Sequence, residues 1–147
     1  MGGAVEMRGK DKSAEVLYDW LMSANGNWYV KIWAEGKYLD FWSVNHTLSG
    51  GVLASLFFLL KVQFWPSLFF SCLFLLAWEI YEILKNIKEG AWNKFFDVVT
   101  GVLGFFATHY LIALDVLKTI NIFWIISLLF AFLEIWGYKA YMTKRAQ

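Results

Sequence analysis

The chain has 147 residues, of which 59% are hydrophobic and 20% aromatic, and its formal net charge is +1. Soluble domains are only about 45–50% apolar, so this composition argues against an ordinary soluble domain and favours an integral membrane protein. A chain of this length forms at most one domain. Its basic residues lie between apolar segments rather than on one exposed face, which excludes a typical nucleic-acid-binding protein.

Residues 1–40 are predicted to form a cytoplasmic tail and two short amphipathic helices. The first twelve residues are polar and glycine-rich. Apolar residues at helical spacing predict one helix over 14–23 and a second over 28–38. Both are too short to cross a bilayer. Their Trp and Tyr content and flanking lysines suit either the membrane–water interface or the cytoplasmic face of the protein itself.

Four apolar segments follow, each close to the roughly 20 residues that cross a bilayer. The predicted spans are 41–60, 66–84, 95–114 and 119–138, followed by a basic cytoplasmic tail over 139–147. Pro66 is expected at the first position of its helix, and a polar loop occupies 85–94. The predicted fold class is therefore all-α: a polytopic membrane bundle of about four transmembrane helices, preceded by two interfacial helices.

The distribution of positive charge predicts the orientation of this bundle. With four spans, both termini and the 85–94 loop lie on the same side of the membrane. That side carries all 13 lysines and arginines except Lys61 and Lys118. Because cytoplasmic loops are enriched in lysine and arginine, we expect both termini in the cytoplasm and the protein in the cell (inner or plasma) membrane.

This topology places an ionisable residue of every span in one layer, within roughly 6–8 Å of the cytoplasmic interface. The residues of this layer are His46, Glu79, Glu82, Asp97 and Glu134. Ionisable groups inside a membrane are costly and by default mark candidate functional sites. In a simpler interpretation, Glu82 and Asp97 reach water or a loop lysine, and Glu134 contacts only Lys139 and water.

Small residues recur beside these acids at helical spacing. Asp97, Gly101, Gly104 and Thr108 form one stripe of the third span, and His46 shares a face of the first span with Gly50. Stripes of small residues allow helices to approach closely. We therefore expect the layer to face the interior of the bundle.

Carboxylates packed together repel one another, so some must be protonated, share a proton or bind a cation. A divalent metal is therefore one candidate cofactor. Its candidate ligands are His46, Glu79, Glu82 and Asp97. If the protein is an enzyme, Glu79 or Asp97 is the candidate base and His46 a ligand or acid. His109 and Cys72 are interpreted as packing residues.

The ionisable residues also resemble a family pattern. Asp40 and His46 open a span, Glu79 lies near the end of the next in W-E-I-Y-E, and Asp97 opens a glycine-containing span. Over about residues 40–110 the chain resembles the VanZ-like family of small multi-span membrane proteins. The chain has Glu82 where that family tends to have glutamine. The resemblance implies an association with envelope lipids.

Two function classes follow, with a third as a weaker alternative. In the first, the cytoplasmic-side acidic cavity binds or processes the head group of an envelope lipid or other amphiphile, with or without a cation. In the second, the chain is a non-catalytic structural or accessory subunit of a larger membrane complex, so its partners are other subunits or copies of itself. In the third, it is an ion or proton pathway. Nucleic acid is not an expected partner.

Overall fold

The structure is a computed structural model that describes residues 28–34, 36, 38–85, 87, 90–115 and 117–145. Those residues form five helices and no strands, so the all-α prediction is confirmed. The helices are α1 (Trp28–Ile32), α2 (Phe41–Leu59), α3 (Phe64–Leu84), α4 (Ala91–Ala113) and α5 (Thr119–Arg145). The predicted helix over 14–23 lies outside the described residues.

Several helix boundaries differ from the predicted ones. The helix predicted over 28–38 is limited to α1, and a turn follows at Trp33. Helix α3 begins at Phe64, two residues before the predicted start at Pro66. Proline is tolerated there because the N–H groups of the first turn have no partner within the helix. Helix α4 begins at Ala91 rather than 95, and α5 continues beyond 138 to Arg145.

Helix α2 lies at the centre of the bundle. It packs against α3, α4 and α5, whereas α3 and α5 make almost no direct contact with each other in the described part of the chain. Contacts from Ser43 to Asp97 and from Phe58 to His109 show that α2 and α4 run in parallel. Helices α3 and α5 run antiparallel to α2. The bundle is thus open between α3 and α5, with α2 at the bottom of the opening.

Glycine brings the backbones of α2 and α4 into direct contact. A Cβ atom at Gly50 would overlap the backbone carbonyl of Gly101, and a Cβ atom at Gly104 would overlap the backbone of Thr47. Gly51 faces the Thr108 hydroxyl, only 2.7 Å from where its Cβ would lie. At Gly50 and Gly104 no larger residue fits unless the two helices move apart. The stripe of small residues therefore allows α2 and α4 to approach closely, as the sequence predicts.

Three helices, α3, α4 and α5, are long and apolar enough to cross a membrane. Helix α2 has 19 residues and falls outside this group because its composition is more polar. Its buried residues include Ser43, Asn45, His46, Gly50 and Ser55, whereas Val44 and Phe58 point outward. The apolar surface of the molecule is therefore on the outside, and the polar side chains of α2 are shielded by its neighbours.

Trp33 attaches the chain before α2 to the end of α5. Its side chain is buried, and its ring centroid lies 4.6 Å from that of Trp42 and 5.8 Å from that of Trp136. Gly137 provides the space, because a Cβ there would lie 2.7 Å from both Trp33 and Trp42. This aromatic cluster fixes the start of α2 against α5.

The glycine contact gives a first prediction. Gly50→Ala and Gly104→Ala should each lower stability by at least about 2 kcal/mol, because the added methyl group meets backbone rather than a movable side chain. The measurement is thermal unfolding of the detergent-purified protein, followed by loss of helical circular dichroism. Gly90→Ala is the matched control, since nothing lies within 4 Å of its added Cβ. Equal effects at all three positions would contradict the packing described here.

Candidate functional site

A buried hydrogen-bond network joins the starts of α2 and α4. Asp40 caps α2, with its carboxylate accepting from the backbone N–H groups of Trp42 at 2.8 Å and Ser43 at 3.2 Å. Asn93 donates to Asp40 and to Asp97, both at 3.2 Å. The Ser43 hydroxyl donates to Asp97 at 2.5 Å. Asp97 is only 1% exposed, so its contacts are to the protein and not to bulk water.

A second group, the histidine–glutamate cluster, consists of His46 on α2 with Glu79 and Glu82 on α3. All three are buried, and each offers a ligand atom within 4.8 Å of the other two. His46 Nε2 lies 3.7 Å from Glu79 Oε1, and Lys94 Nζ of α4 lies 4.0 Å from Glu79 Oε2. The Trp78 indole donates to Glu82 at 2.8 Å. Two helices therefore supply the cluster, and a third, α4, supplies the neighbouring Lys94.

Glu134 is the remaining acid of the predicted ionisable layer, and it lies on α5, across the cleft from α3. The side-chain amide of Asn45 donates a hydrogen bond to its carboxylate. Glu134 is half-buried and faces the opening between α3 and α5, so the simpler interpretation, in which it meets only Lys139 and water, does not describe its contacts. Asn45 is buried on α2 and ties this acid to the central helix.

A cleft runs along the opening between α3 and α5, with α2 as its floor, and holds two adjoining cavities. The inner cavity, of about 210 Å³, has apolar walls that include Phe74 and Phe130, and has His46, Ser49 and Glu134 among its polar residues. The outer cavity, of about 330 Å³, lies at the end of the cleft where α3 and α5 finish. Both cavities are lined by Trp42, Trp78 and Glu134, so they meet at these side chains.

The structure brings most of the predicted site residues together and separates one of them. His46, Glu79 and Glu82 form the cluster, whereas Asp97 belongs to the network with Ser43 and Asn93. Neither Glu82 nor Asp97 escapes to water, since both are buried. The burial of both side chains therefore contradicts the interpretation in which these two acids reach water.

The sequence does not predict four partners of the acids, which are Ser43, Asn45, Trp78 and Asn93. It does predict a lysine of the 85–94 segment beside Glu82 or Asp97, and the structure places Lys94 beside Glu79. Asn93 and Lys94 belong to α4, which begins at Ala91, and not to the predicted polar loop. An i, i+4 spacing between Asn93 and Asp97 was the available signal. Ser43 and Asn45 lie in the polar first half of the predicted first span.

The opposite end of the bundle is aromatic. The His109 ring packs against the rings of Phe58, Phe64 and Phe105, with centroid distances of 6.5, 4.8 and 6.2 Å. This environment fits a packing role for the histidine. Cys72 is partly buried on α3 and is a free thiol.

The histidine–glutamate cluster can act chemically in two ways. One imidazole and two carboxylates are donors that a divalent cation accepts, and they are close enough to share one. Lys94 supplies a positive charge beside Glu79, so without a metal the cluster needs one further proton or cation to neutralise its second carboxylate. In either state the buried carboxylates need a compensating cation, because an unpaired charge is costly in a low-dielectric interior.

Comparison with protein-family models, with curated proteins and with solved structures finds no match to this chain.

Asp97→Asn should destabilise the protein by about 1–3 kcal/mol, the cost of leaving a buried hydrogen-bonding group without its partner. The change keeps the shape of the side chain, but one of its two acceptor oxygens becomes a donor facing Ser43 or Asn93. The matched control is Asp115→Asn at an exposed position, where asparagine also tolerates the left-handed backbone angle of φ 52°. Thermal unfolding checks both variants. A D97N protein as stable as D115N would show that the network contributes little.

Glu79 and Lys94 should be energetically coupled. Glu79→Gln and Lys94→Met each remove one charge from a pair whose side chains are only 8% and 17% exposed. We expect both single variants to unfold at lower temperature, and the double variant to lose less than the sum, with a coupling of about 1–2 kcal/mol. Lys118→Met, exposed at the far end, is the control for loss of a lysine. Strictly additive effects would contradict the pairing.

Proposed function

We propose that this chain is a small VanZ-like integral membrane protein that binds the head group of a membrane amphiphile in the cleft between α3 and α5. The observation that carries the proposal is the position of the histidine–glutamate cluster. It is buried beside a cleft whose walls are apolar and whose open side lies between two membrane-length helices. An amphiphile can enter such a cleft sideways, keeping its chains in lipid while its head group reaches the polar layer.

The proposal includes α2 as a fourth transmembrane helix. At 1.5 Å per residue its 19 residues extend about 28 Å, close to the thickness of the hydrocarbon core. It lies parallel to α4, itself a candidate span, in backbone contact. Its polar side chains point inward, where neighbouring helices shield them. The charge distribution supports placing both termini and the polar layer on the cytoplasmic side of the cell membrane.

The exposed surface of α5 beside the cleft is apolar and can contact lipid chains. Helix α5 is the least buried of the long helices, with 11% of its most apolar stretch buried inside the protein. Exposed side chains such as Leu128 and Phe132 cover its surface. Exposed apolar area of this extent is stable only in contact with lipid or another membrane helix. A lipid lying in the cleft would extend this apolar contact to the inner cavity.

The two alternative functions have weaker support. Stripes of small residues can also join separate chains, but Gly50 and Gly104 serve the contact between α2 and α4 within this chain. A proton pathway needs polar groups across the whole bundle. In the described residues, His109 at the far end is surrounded by phenylalanine rings instead of further ionisable groups.

Filling the inner cavity should displace the amphiphile. Ser49 lines this cavity on α2, and Ser49→Phe would occupy part of its volume. Val44→Phe is the matched control, because it places the same side chain on the exposed surface of the same helix. We expect S49F to purify from mild detergent with several-fold less bound lipid than V44F or the unchanged protein. The measurement is mass spectrometry of lipid extracted from equal amounts of protein.

Circular dichroism and gel filtration identify an S49F variant that has not folded. For that case Leu53→Phe, which adds less volume in the same cavity, gives a second test through a smaller loss of bound lipid. Equal lipid in folded S49F, V44F and the unchanged protein would contradict binding in the cleft.

A further inference from the structure

The outer cavity carries charges of both signs in a definite arrangement. Its acidic side chains are Glu82 and Glu134, and its basic side chains are Lys85 and Arg145. Glu82 is buried and Glu134 half-buried, whereas Lys85 and Arg145 are exposed at the ends of α3 and α5. Negative charge therefore lies toward the interior of the bundle, and positive charge lies toward its end.

We infer that the cleft selects a zwitterionic phospholipid, one whose head group joins an ammonium to a phosphate. This inference rests on the proposed function and specifies its ligand class. The ammonium would lie beside Glu82 and Glu134, and the phosphate beside Lys85 and Arg145. A head group that is only anionic would leave the two carboxylates opposite a like charge, which is destabilising in a partly desolvated site.

Charges of opposite sign lie close together along the chain at this cavity. Glu82 and Lys85 are only three residues apart at the end of α3, and both line the outer cavity. Because the outer cavity of about 330 Å³ lies at the lower end of the range for small-molecule sites, it suits a head group and not a whole lipid.

Aromatic side chains complete the ammonium site. Trp42, Trp78 and Tyr138 line the outer cavity together with the acids. Aromatic faces attract ammonium and quaternary ammonium groups through their negative π surfaces, an attraction that strengthens when water is excluded. Tyr81 already binds a cation in this way, since Lys85 Nζ lies 5.5 Å from its ring centroid. The inner cavity then continues from Glu134 between apolar walls that can accept part of an acyl chain.

The test is a lipid-competition experiment on the full-length protein. The protein is reconstituted in bilayers that contain equal amounts of phosphatidylethanolamine, phosphatidylcholine and phosphatidylglycerol with identical acyl chains. It is then extracted in mild detergent, and the retained lipids are counted by native mass spectrometry. We expect the two zwitterionic lipids to be retained over phosphatidylglycerol by roughly tenfold, the effect of one charge-assisted contact.

Two variants test which charges of the cavity contact the ammonium and which contact the phosphate. Glu134→Gln keeps an acceptor for Asn45 but removes the negative charge, so it should lose the preference for zwitterionic lipids over phosphatidylglycerol. Lys85→Gln with Arg145→Gln should lower retention of all three lipids. The matched controls are Asp115→Asn and the pair Lys61→Gln with Lys118→Gln, which make the same changes of charge at the opposite end of the bundle and should behave like the unchanged protein.

The outcomes separate this inference from the proposed function. Preferential retention of phosphatidylglycerol would overturn the zwitterion selectivity and leave amphiphile binding intact. Retention of no lipid by the folded, unchanged protein would overturn both. If the variants and the controls retained the three lipids equally, the charges of the outer cavity would not determine which head group binds. That result would also overturn the inference.

Discussion

The backbone contact between α2 and α4 is the constraint on which the rest of the structure depends. Gly50 and Gly104 let the backbones of two parallel helices touch, at the points where Gly50 meets Gly101 and Gly104 meets Thr47. This contact brings Ser43 within hydrogen-bond distance of Asp97 and places Lys94 of α4 beside Glu79 of α3. With α4 held this close, α2 is left free on its other side to form the floor of the cleft. A bulkier residue at either glycine would therefore disturb the site as well as the packing.

The second constraint is the cost of a charge without a partner. Each acid of the layer is met by a polar group from another helix or from its own helix: Asp97 by Ser43 and Asn93, Glu79 by His46 and Lys94, Glu82 by Trp78, and Glu134 by Asn45. Breaking a buried pair typically costs about 3–5 kcal/mol. Contacts of this layer therefore hold several helices together at one end of the bundle. The side chains that stabilise this packing are also the ones that could bind a ligand.

Much of this arrangement could be predicted from sequence, for identifiable physical reasons. Length and apolar content determine membrane-length helices, and the 3.6-residue period correctly put Asp97, Gly101, Gly104 and Thr108 on one buried stripe. Other features depend on information that periodicity does not carry. The capping of α2 by Asp40 is set by local hydrogen bonds, and the start of α4 at Ala91 places Asn93 and Lys94 in a helix instead of the predicted loop. The separation of Asp97 from the histidine–glutamate cluster depends on how α3 and α4 are rotated relative to α2, which a single sequence does not specify.

The polarity of the bundle explains why the cleft is better suited to binding than to conduction. Its polar groups are concentrated at one end, while Phe58, Phe64 and Phe105 surround His109 at the other. An ion crossing from the polar layer would meet this aromatic packing without a hydrogen-bonding replacement for its water. A lipid needs the opposite arrangement, with polar contacts at one depth and apolar contacts along the remaining length. Because α3 and α5 stay apart while both pack on α2, the cleft between them offers both kinds of contact.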